Sequence, residues 1–122
     1  FPTILGDAYT IPFNDGKFDL VFTCGVLIHI PTKKLEEAFS EIYRASNRYI
    51  MMIEYSSEKE TEFQYREIGE QLGGGCWSRD YGSLLKDKFP KLITVAEGLV
   101  KDFGIDDGTG MSSDDRYWIF EK

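Results

Sequence analysis

The chain has 122 residues, with 14 basic and 21 acidic side chains and a formal net charge of -7. That length predicts a single domain. The negative charge disfavours nucleic acid as the main partner, because it repels phosphate backbones, and it also disfavours a basic membrane-surface helix. No apolar run approaches the roughly 20 residues that a membrane-spanning helix needs.

Two cysteines, Cys24 and Cys76, are too few for a disulfide framework. They lack the paired spacing of a zinc site, and the sequence has one histidine, His29. Free thiols are typical of a reducing compartment, so we expect a cytoplasmic protein. The aspartates of the segment 105–115 lack the spacing of a calcium loop, and we expect no metal.

The first elements of the chain are predicted to be two strands separated by a turn. Residues 2–6 are apolar and end at a glycine, as the tail of a strand would. Asn, Asp and Gly at 14–16 are typical of a tight turn. Residues 18–24 are β-branched and aromatic with few polar interruptions. This pattern predicts a strand buried on both faces, as in a parallel sheet covered by helices.

A helix and a second long strand are predicted next. Thr32 is a candidate N-cap, and four apolar side chains then recur at helical spacing: Leu35, Ala38, Phe39 and Ile42. The helix is expected to end near 46–47, where short polar side chains compete with the helical backbone. Residues 48–55 predict a strand. Strand, helix and strand form a βαβ unit, which predicts a parallel pair with a right-handed crossover.

The following polar segment contains a candidate helix at 60–72, which the glycines at 73–75 would end. Ser78 is a candidate cap for a further helix that stops before Pro90. That helix would have one apolar face, formed by Tyr81, Leu84, Leu85 and Phe89.

Short motifs near the start of the chain follow one another in a familiar order: Gly6-Asp7-Ala8, Ile11-Pro12-Phe13, Asp15, Phe18-Asp19-Leu20-Val21 and Gly25-Val26-Leu27-Ile28-His29-Ile30-Pro31. This series resembles the second half of a class I S-adenosylmethionine-dependent methyltransferase. Further matches run over most of the chain: Ile42 to Ile50, Glu54-Tyr55, Tyr65-Arg66, Ser78 to Tyr81 and Trp118 to Lys122. They look like the methylases associated with pseudaminic acid biosynthesis.

The resemblance implies a three-layer Rossmann-like α/β fold with strand order 3-2-1-4-5-7-6 and strand 7 antiparallel. Our predicted strands would be family strands 3 to 7, in chain order: 2–6, 18–24, 48–55, 92–100 and 117–120. The first two strands and the glycine-rich cofactor turn are expected before Phe1, because the glycines at 73–75 and 104–110 do not open a helix after a strand. We therefore expect residues 1–122 to be the C-terminal portion of a single methyltransferase domain, with strands 4-5-7-6 contiguous.

A cofactor site is expected where the strands end, because open α/β sheets bind ligands at the carboxyl ends of their strands. The resemblance implies that the Asp7 carboxylate accepts from the adenine amino group of S-adenosylmethionine and that the Ala8 N–H donates to a ring nitrogen. Without the resemblance, Asp7 reads as a turn former. The family places four more residues beside the amino and sulfonium groups, three through their backbone and the last by packing: Thr23, Cys24, Gly25 and Ile28.

His29 is a candidate general base, and the alternative is a residue packed at the start of a helix. The resemblance implies that the segment after the second long strand shapes the acceptor pocket, with Tyr55, Arg66 and Arg79 as candidates. Either arginine is suited to hold an acidic sugar's carboxylate by a bidentate contact. The alternative for both arginines is a solvated surface position.

The expected function is methyl transfer from S-adenosylmethionine to a small acceptor, such as a hydroxyl or amine of a sugar or sugar acid. The alternative is a non-catalytic truncated domain that binds a partner or dimerises. Self-association through the open sheet edge at 18–24 is expected, because an apolar edge strand is a template for pairing. A flavodoxin-like domain is disfavoured by the antiparallel strand predicted at the end of the chain.

Overall fold

The structure, a computed structural model, describes residues 2–63, 75–104 and 115–122. Its strands and helices are, in chain order, β1 (Phe18–Cys24), α1 (Thr32–Ala45), β2 (Ser46–Tyr55), β3 (Thr61–Phe63), β4 (Cys76–Ser78), α2 (Tyr81–Lys88), β5 (Ile93–Leu99) and β6 (Asp115–Glu121). Two 3-10 turns, Leu27–His29 and Val100–Phe103, follow β1 and β5.

A four-stranded mixed sheet in the order β1-β2-β6-β5 organises the chain. β1 and β2 are parallel and are joined through α1, whereas β6 is antiparallel to both of its neighbours. This order confirms the predicted contiguous set 4-5-7-6 with an antiparallel strand 7. A small two-stranded antiparallel sheet, β3 with β4, is separate from the main sheet.

One face of the sheet carries the core. The apolar stripe of α1 packs there, and alternate residues of the two central strands are buried against it, such as Ile50 and Met52 of β2 and Trp118 and Phe120 of β6. The same alternation leaves the residues between them only half-buried. A helix on one side and partial cover on the other is the burial pattern of a sheet with one protected face.

The prediction that the strand at 18–24 is buried on both faces is wrong. In β1, Val21 and Thr23 face the core, but Leu20 is 46% exposed and Phe22 is 61% exposed. Among the described residues, β1 pairs with β2 alone and is an edge strand. β1 therefore carries more apolar side chains than the described residues cover.

Residues 2–6 do not form the predicted strand: they are exposed, and the described part of the chain offers them no strand to pair with. The nearest pairing is a single bridge between Asp7 and Thr10. The second strand begins at Ser46, directly after α1, and not at 48. Ser46 is buried, and its hydroxyl donates to the Tyr49 carbonyl. The helix therefore ends where polar side chains were expected to end it, but the chain continues directly as a strand.

Both predicted helix caps are displaced. Thr32 is the first residue of α1, and Pro31 occupies the cap position. Asp80, not Ser78, caps α2, and its carboxylate accepts from the Ser83 N–H at 3.1 Å. Ser78 instead ends β4, where its hydroxyl contacts that of Ser57 at 2.8 Å.

The candidate helix at 60–72 is wrong at its start, because Thr61–Phe63 pairs with Cys76–Ser78 as a strand. The rest of that prediction, the glycines at 73 and 74 and the loop at 105–114 lie outside the described residues. None of the helices that the structure describes is both long enough and apolar enough to cross a membrane.

Candidate functional site

The carboxyl ends of β1 and β2 lie at one edge of the sheet, because the two strands are parallel and in register from Leu20 to Cys24. The Gly25 N–H extends this ladder by donating to the Ile53 carbonyl at 2.9 Å. β6 starts at the same edge, where Asp115 is paired with Tyr55. In an open α/β sheet this edge is where ligands bind.

Gly25 makes the turn that leaves β1, with a φ of 62° in the left-handed region. A side chain there would be strained, and a glycine adopts this conformation freely. A Cβ built on Gly25 would meet no atom within 4 Å. The backbone at this position is therefore open to close approach by a ligand, as the predicted cofactor role requires.

The neighbours of Gly25 differ in exposure. Thr23 is buried, and its hydroxyl lies beside the Glu54 carboxyl without meeting the geometry of a full hydrogen bond. Cys24 is exposed, yet partial burial and the negative charges of Glu54 and Asp115 raise the pKa of its thiol. A thiol with a raised pKa stays protonated near neutral pH, which fits the expectation of an inert side chain.

Ile28, which was predicted to pack on the cofactor, lies in the core of the protein. Its side chain is 3% exposed and belongs to the core cluster with Leu27. His29, the third residue of this 3-10 turn, is exposed. The turn therefore directs two side chains into the protein and presents the histidine at the ligand-binding edge of the sheet.

Asp7 and Ala8 form a tight turn near the start of α1. One carboxylate oxygen of Asp7 accepts from the Tyr9 N–H at 2.8 Å, and the Tyr9 ring lies 5.4 Å from the ammonium of Lys34. Lys34 is in the first turn of α1, which follows the Leu27–His29 turn. The predicted adenine residues and Gly25 therefore lie at the same end of the molecule.

The loop that follows this turn is fastened to the last turn of α1. The Ile11 N–H donates to Glu41 at 2.7 Å, and the Arg44 guanidinium donates to the carbonyls of Ile11 and Phe13 at 2.9 and 2.7 Å. Arg44 also pairs with Glu41 and Asp15. Sequence reasoning missed this fastening, because an acidic and a basic residue three apart on a helix are usually a local ion pair.

Arg79 is buried, which corrects the reading of a solvated surface arginine. It is 1% exposed, and its three guanidinium nitrogens all donate within the chain. The acceptors are the Glu60 carboxylate, the carbonyls of Leu27 and Ile30, and the hydroxyls of Thr32 and Tyr81. These contacts engage all three guanidinium nitrogens with side-chain and backbone acceptors of the chain itself.

The remaining acceptor candidates are Tyr55 and Arg66. Tyr55 ends β2 at the site edge, is half-buried, and lies 5.8 Å from the Phe63 ring of β3. Arg66 lies outside the described residues. The structure therefore brings together Thr23, Cys24, Gly25, His29 and Tyr55 at the strand ends.

Glu54 is the buried residue of this edge that the sequence analysis did not single out. It is 1% exposed on β2, and burial raises the pKa of its carboxyl against the lowering effect of the backbone N–H groups of Val26, Leu27 and Ile28. A Glu directly after the apolar run 49–53 of this strand is the signal that identifies it, since an acidic side chain is rarely buried without partners.

A groove of about 640 Å³ lies between α1 and α2. Leu35, Phe39 and Leu84 contribute apolar surface to it, and its charged lining residues are mostly acidic. None of the residues predicted to bind the cofactor lines this groove. Within the described ranges, no group of three or more potential ligand side chains could hold a metal ion.

Residues 1–48 match a protein-family model described as a methyltransferase domain. The chain is 29% identical to sterol 24-C-methyltransferase from Pneumocystis carinii, over 77% of this chain and 23% of that protein. It therefore spans about a quarter of that relative.

Solved structures show the same fold. A Burkholderia thailandensis structure of 1,6-didemethyltoxoflavin-N1-methyltransferase, with 1,6-didemethyltoxoflavin and S-adenosylhomocysteine bound, is similar with a TM-score of 0.72 and 10% identity, over 98% of this chain and 49% of that one. A SAM-dependent methyltransferase structure from Methanosarcina mazei has a TM-score of 0.67 and 14% identity, over 96% of this chain and 65% of that one. These likenesses confirm the Rossmann-like methyltransferase fold and support the class I methyltransferase resemblance.

Proposed function

We propose that residues 1–122 are the C-terminal portion of a class I methyltransferase domain, which transfers a methyl group from S-adenosylmethionine to a small acceptor. The observation that carries this proposal is the open backbone of Gly25. It stands at the carboxyl end of β1, in a sheet whose strand order is that of the family. Such a position lets a ligand approach the main chain closely.

In the proposed site, Asp7 and Ala8 hold the adenine. Asp7 has one carboxylate oxygen on the Tyr9 N–H, and its other oxygen is suited to accept from the adenine amino group. The Ala8 N–H would donate to a ring nitrogen. The backbone of Thr23, Cys24 and Gly25 would face the amino and sulfonium groups, since carbonyl oxygens suit positive charge.

S-adenosylmethionine supplies an electrophilic methyl group on its sulfonium when bound. The chain's own contribution is to orient the acceptor for in-line displacement and to exclude water. His29, exposed on the turn after β1, would take the proton that an acceptor hydroxyl or amine loses.

The acceptor that we propose is a sugar or sugar acid. What supports it is the resemblance to the methylases of pseudaminic acid biosynthesis, carried by Glu54-Tyr55, Tyr65-Arg66 and the segment 78–81. Tyr55, at the end of β2, and Arg66 are the residues through which we expect contact. Two unpaired cysteines support a cytoplasmic location.

Amide NMR of the isotope-labelled chain tests the proposed site. S-adenosylhomocysteine and 5′-methylthioadenosine should both shift the amides of Asp7, Ala8 and Gly25, whereas methionine, which lacks adenine, should leave Asp7 and Ala8 unmoved. Binding should be weak, because the family's ribose and methionine contacts come from elements that the resemblance places before Phe1. No shifts up to about 10 mM ligand, where even about 3 kcal/mol of binding would show, would refute the proposal.

The same spectra test the acceptor. After addition of S-adenosylhomocysteine, pseudaminic acid should shift the amides of Tyr55 and Arg66, and glucose should serve as the neutral control. Shifts with neither sugar, or equal shifts with both, would remove the support for a sugar acid while leaving the cofactor site intact.

A binding or dimerisation module is the second candidate function. The observation that favours it is the exposure of Leu20 and Phe22 on β1, an edge strand among the described residues. An apolar edge strand pairs readily with another chain. We propose self-association through this edge.

A further inference from the structure

Two buried side chains of opposite charge hold the segment that leaves β1. Glu54 and Arg79 are both 1% exposed, and each bonds to the backbone of residues 26–30. Glu54 belongs to the central strand β2, and Arg79 follows β4. The segment between them contains the 3-10 turn Leu27–His29, which follows Gly25.

The two charges bind different sides of the peptide groups. The N–H groups of Val26 and Ile28 donate to the two carboxylate oxygens of Glu54, at 3.3 and 3.4 Å. The guanidinium of Arg79 donates to the carbonyls of Leu27 and Ile30, at 3.5 and 3.0 Å. The Glu54 anion lies beside the N–H ends of these peptide groups, and the Arg79 cation lies beside their carbonyl ends. Both charges therefore stabilise the same orientation of the peptide dipoles.

Burying two charged side chains to hold one turn has an unfavourable desolvation free energy. Removing a carboxylate and a guanidinium from water carries a desolvation penalty that apolar side chains of similar size would avoid. Neither residue uses the other as its partner: Arg79 pairs with Glu60, whereas Glu54 accepts from the N–H groups of Val26 and Ile28. What the two charges provide is one fixed backbone conformation at the site edge.

Arg79 also connects this turn to the segment expected to shape the acceptor pocket. Its guanidinium donates to Glu60, which in turn accepts from the Thr32 hydroxyl at 2.7 Å. Glu60 directly precedes β3, and Thr32 begins α1. These contacts therefore tie the turn after β1 to the segment that leads into β3.

We propose that Glu54 and Arg79 are positioning residues, which hold Gly25 and the Leu27–His29 turn in the conformation that receives the cofactor. This inference rests on the proposed function. The two residues touch no reacting atom; they act through the backbone to which they are bonded.

Glu54→Gln is the main test, because it keeps the shape of the side chain and replaces one acceptor oxygen with a donor that cannot accept an N–H. Glu97→Gln is the matched control, since Glu97 is half exposed and pairs with Arg116 on the surface. We expect Glu54→Gln to weaken 5′-methylthioadenosine binding about tenfold and to speed hydrogen exchange at Val26 and Ile28. The control should change neither.

Arg79→Lys tests the other side of the turn. Lysine keeps the charge but loses the fork that reaches two carbonyls at once. The expected result is again about tenfold weaker binding, with Arg48→Lys on the surface as the control. Affinities are compared at a temperature where every variant is folded. A fall in the melting temperature with unchanged affinity would mean a structural role only and would overturn the proposal.

The wild-type chain provides a test that needs no variant to fold. Without ligand, the amides of Val26 and Ile28 should exchange more slowly than the amides of exposed loops. If they exchange as fast as those amides, Glu54 does not hold the turn and the proposal fails. If they are protected but no adenosine ligand shifts the Gly25 amide, the proposed function fails. The proposed role of Glu54 and Arg79 toward the cofactor then fails as well, but their anchoring of the turn remains supported.

Discussion

A substitution at Gly25 has two separable effects, one on the stability of the left-handed backbone and one on the approach of a ligand. Gly25 has a φ of 62°, and Gly16, in the turn before β1, has a φ of 61°. Alanine at either position should cost about 1–2 kcal/mol of stability, because the left-handed conformation strains a side chain. Gly25→Ala alone should also weaken 5′-methylthioadenosine binding, since its methyl group occupies the open surface at the site.

Denaturant unfolding measures the first effect and an amide NMR titration the second. Gly16 precedes the amino end of β1, away from the carboxyl ends of the strands, and a Cβ there would meet Asn47 at 3.8 Å, so Gly16→Ala is the matched control. Equal affinities of the two variants, at equal stability, would show that the ligand does not approach Gly25.

Local sequence patterns predicted the positions of the residues at the strand ends. They did not predict which charged side chains are buried next to those residues. A glycine after an apolar strand is recognisable in sequence, and Gly25 lies where that pattern placed it. The burial of Arg79 was not predictable in this way, because its backbone acceptors Leu27 and Ile30 are 52 and 49 residues away. A buried arginine and a solvated one look alike until the chain that surrounds them is placed.

At the scale of elements, the last turn of α1 fixes the loop at 11–15, which follows the predicted adenine residues Asp7 and Ala8. The Arg44 hydrogen bond holds the pKa of Glu41 below its usual range. A carboxyl with a lowered pKa stabilises the fold above its ordinary pKa and loses that contribution as pH falls through the lowered value. The Ile11 N–H, which donates to Glu41, should therefore lose its exchange protection only at acidic pH.

Arg44→Met should speed exchange at Ile11 and shift this loss of protection to higher pH, because the Glu41 pKa returns toward its ordinary value. Arg48→Met is the control: Arg48 is an exposed surface residue that pairs with Glu121. Hydrogen exchange followed by NMR across the acidic range measures both effects. Protection at Ile11 that is the same in both variants would show that Arg44 does not fasten the loop.

Periodicity predicted the existence of the elements more reliably than their ends. The helical spacing of Leu35, Ala38, Phe39 and Ile42 corresponds to the buried face of α1. The caps were wrong because tertiary partners replace local ones: the Thr32 hydroxyl is bonded to Glu60, and Ser78 lies in a strand. A three-residue strand such as β3 has too short a pattern to be distinguished from the start of a polar helix.

At the scale of the molecule, the strand order was predictable from the family resemblance and not from composition. Nothing in the residues of β6 alone indicates that it inserts between β2 and β5, with Trp118 opposite Met52 and Glu97. Burial of whole strands was the weaker prediction. An apolar strand is normally covered on both faces, but among the described residues β1 is covered on one.

This exposed strand leads to the prediction that the chain self-associates through β1. The sheet has two edges, β1 and β5, and both expose apolar side chains: Phe22 and Ile93 are each 61% exposed. The edge of β5 is broken by a register shift between Thr94 and Ala96, and a bulge of this kind disfavours pairing. β1 has its own register shift at its start, between Phe18 and Leu20, but it pairs regularly from Leu20 to Cys24, without a charged residue.

Light scattering and sedimentation of the wild type, Phe22→Lys and Ile93→Lys would separate the two edges. We expect a dimer that Phe22→Lys abolishes and Ile93→Lys preserves, because each substitution adds the same charge at the same exposure. The net charge of -7 opposes association, so the dimer should strengthen as salt rises and the screening length falls below about 8 Å. A wild type that stays monomeric at high concentration would exclude association through either edge. Loss of the dimer with Ile93→Lys alone would place the interface on β5, despite the bulge that interrupts it.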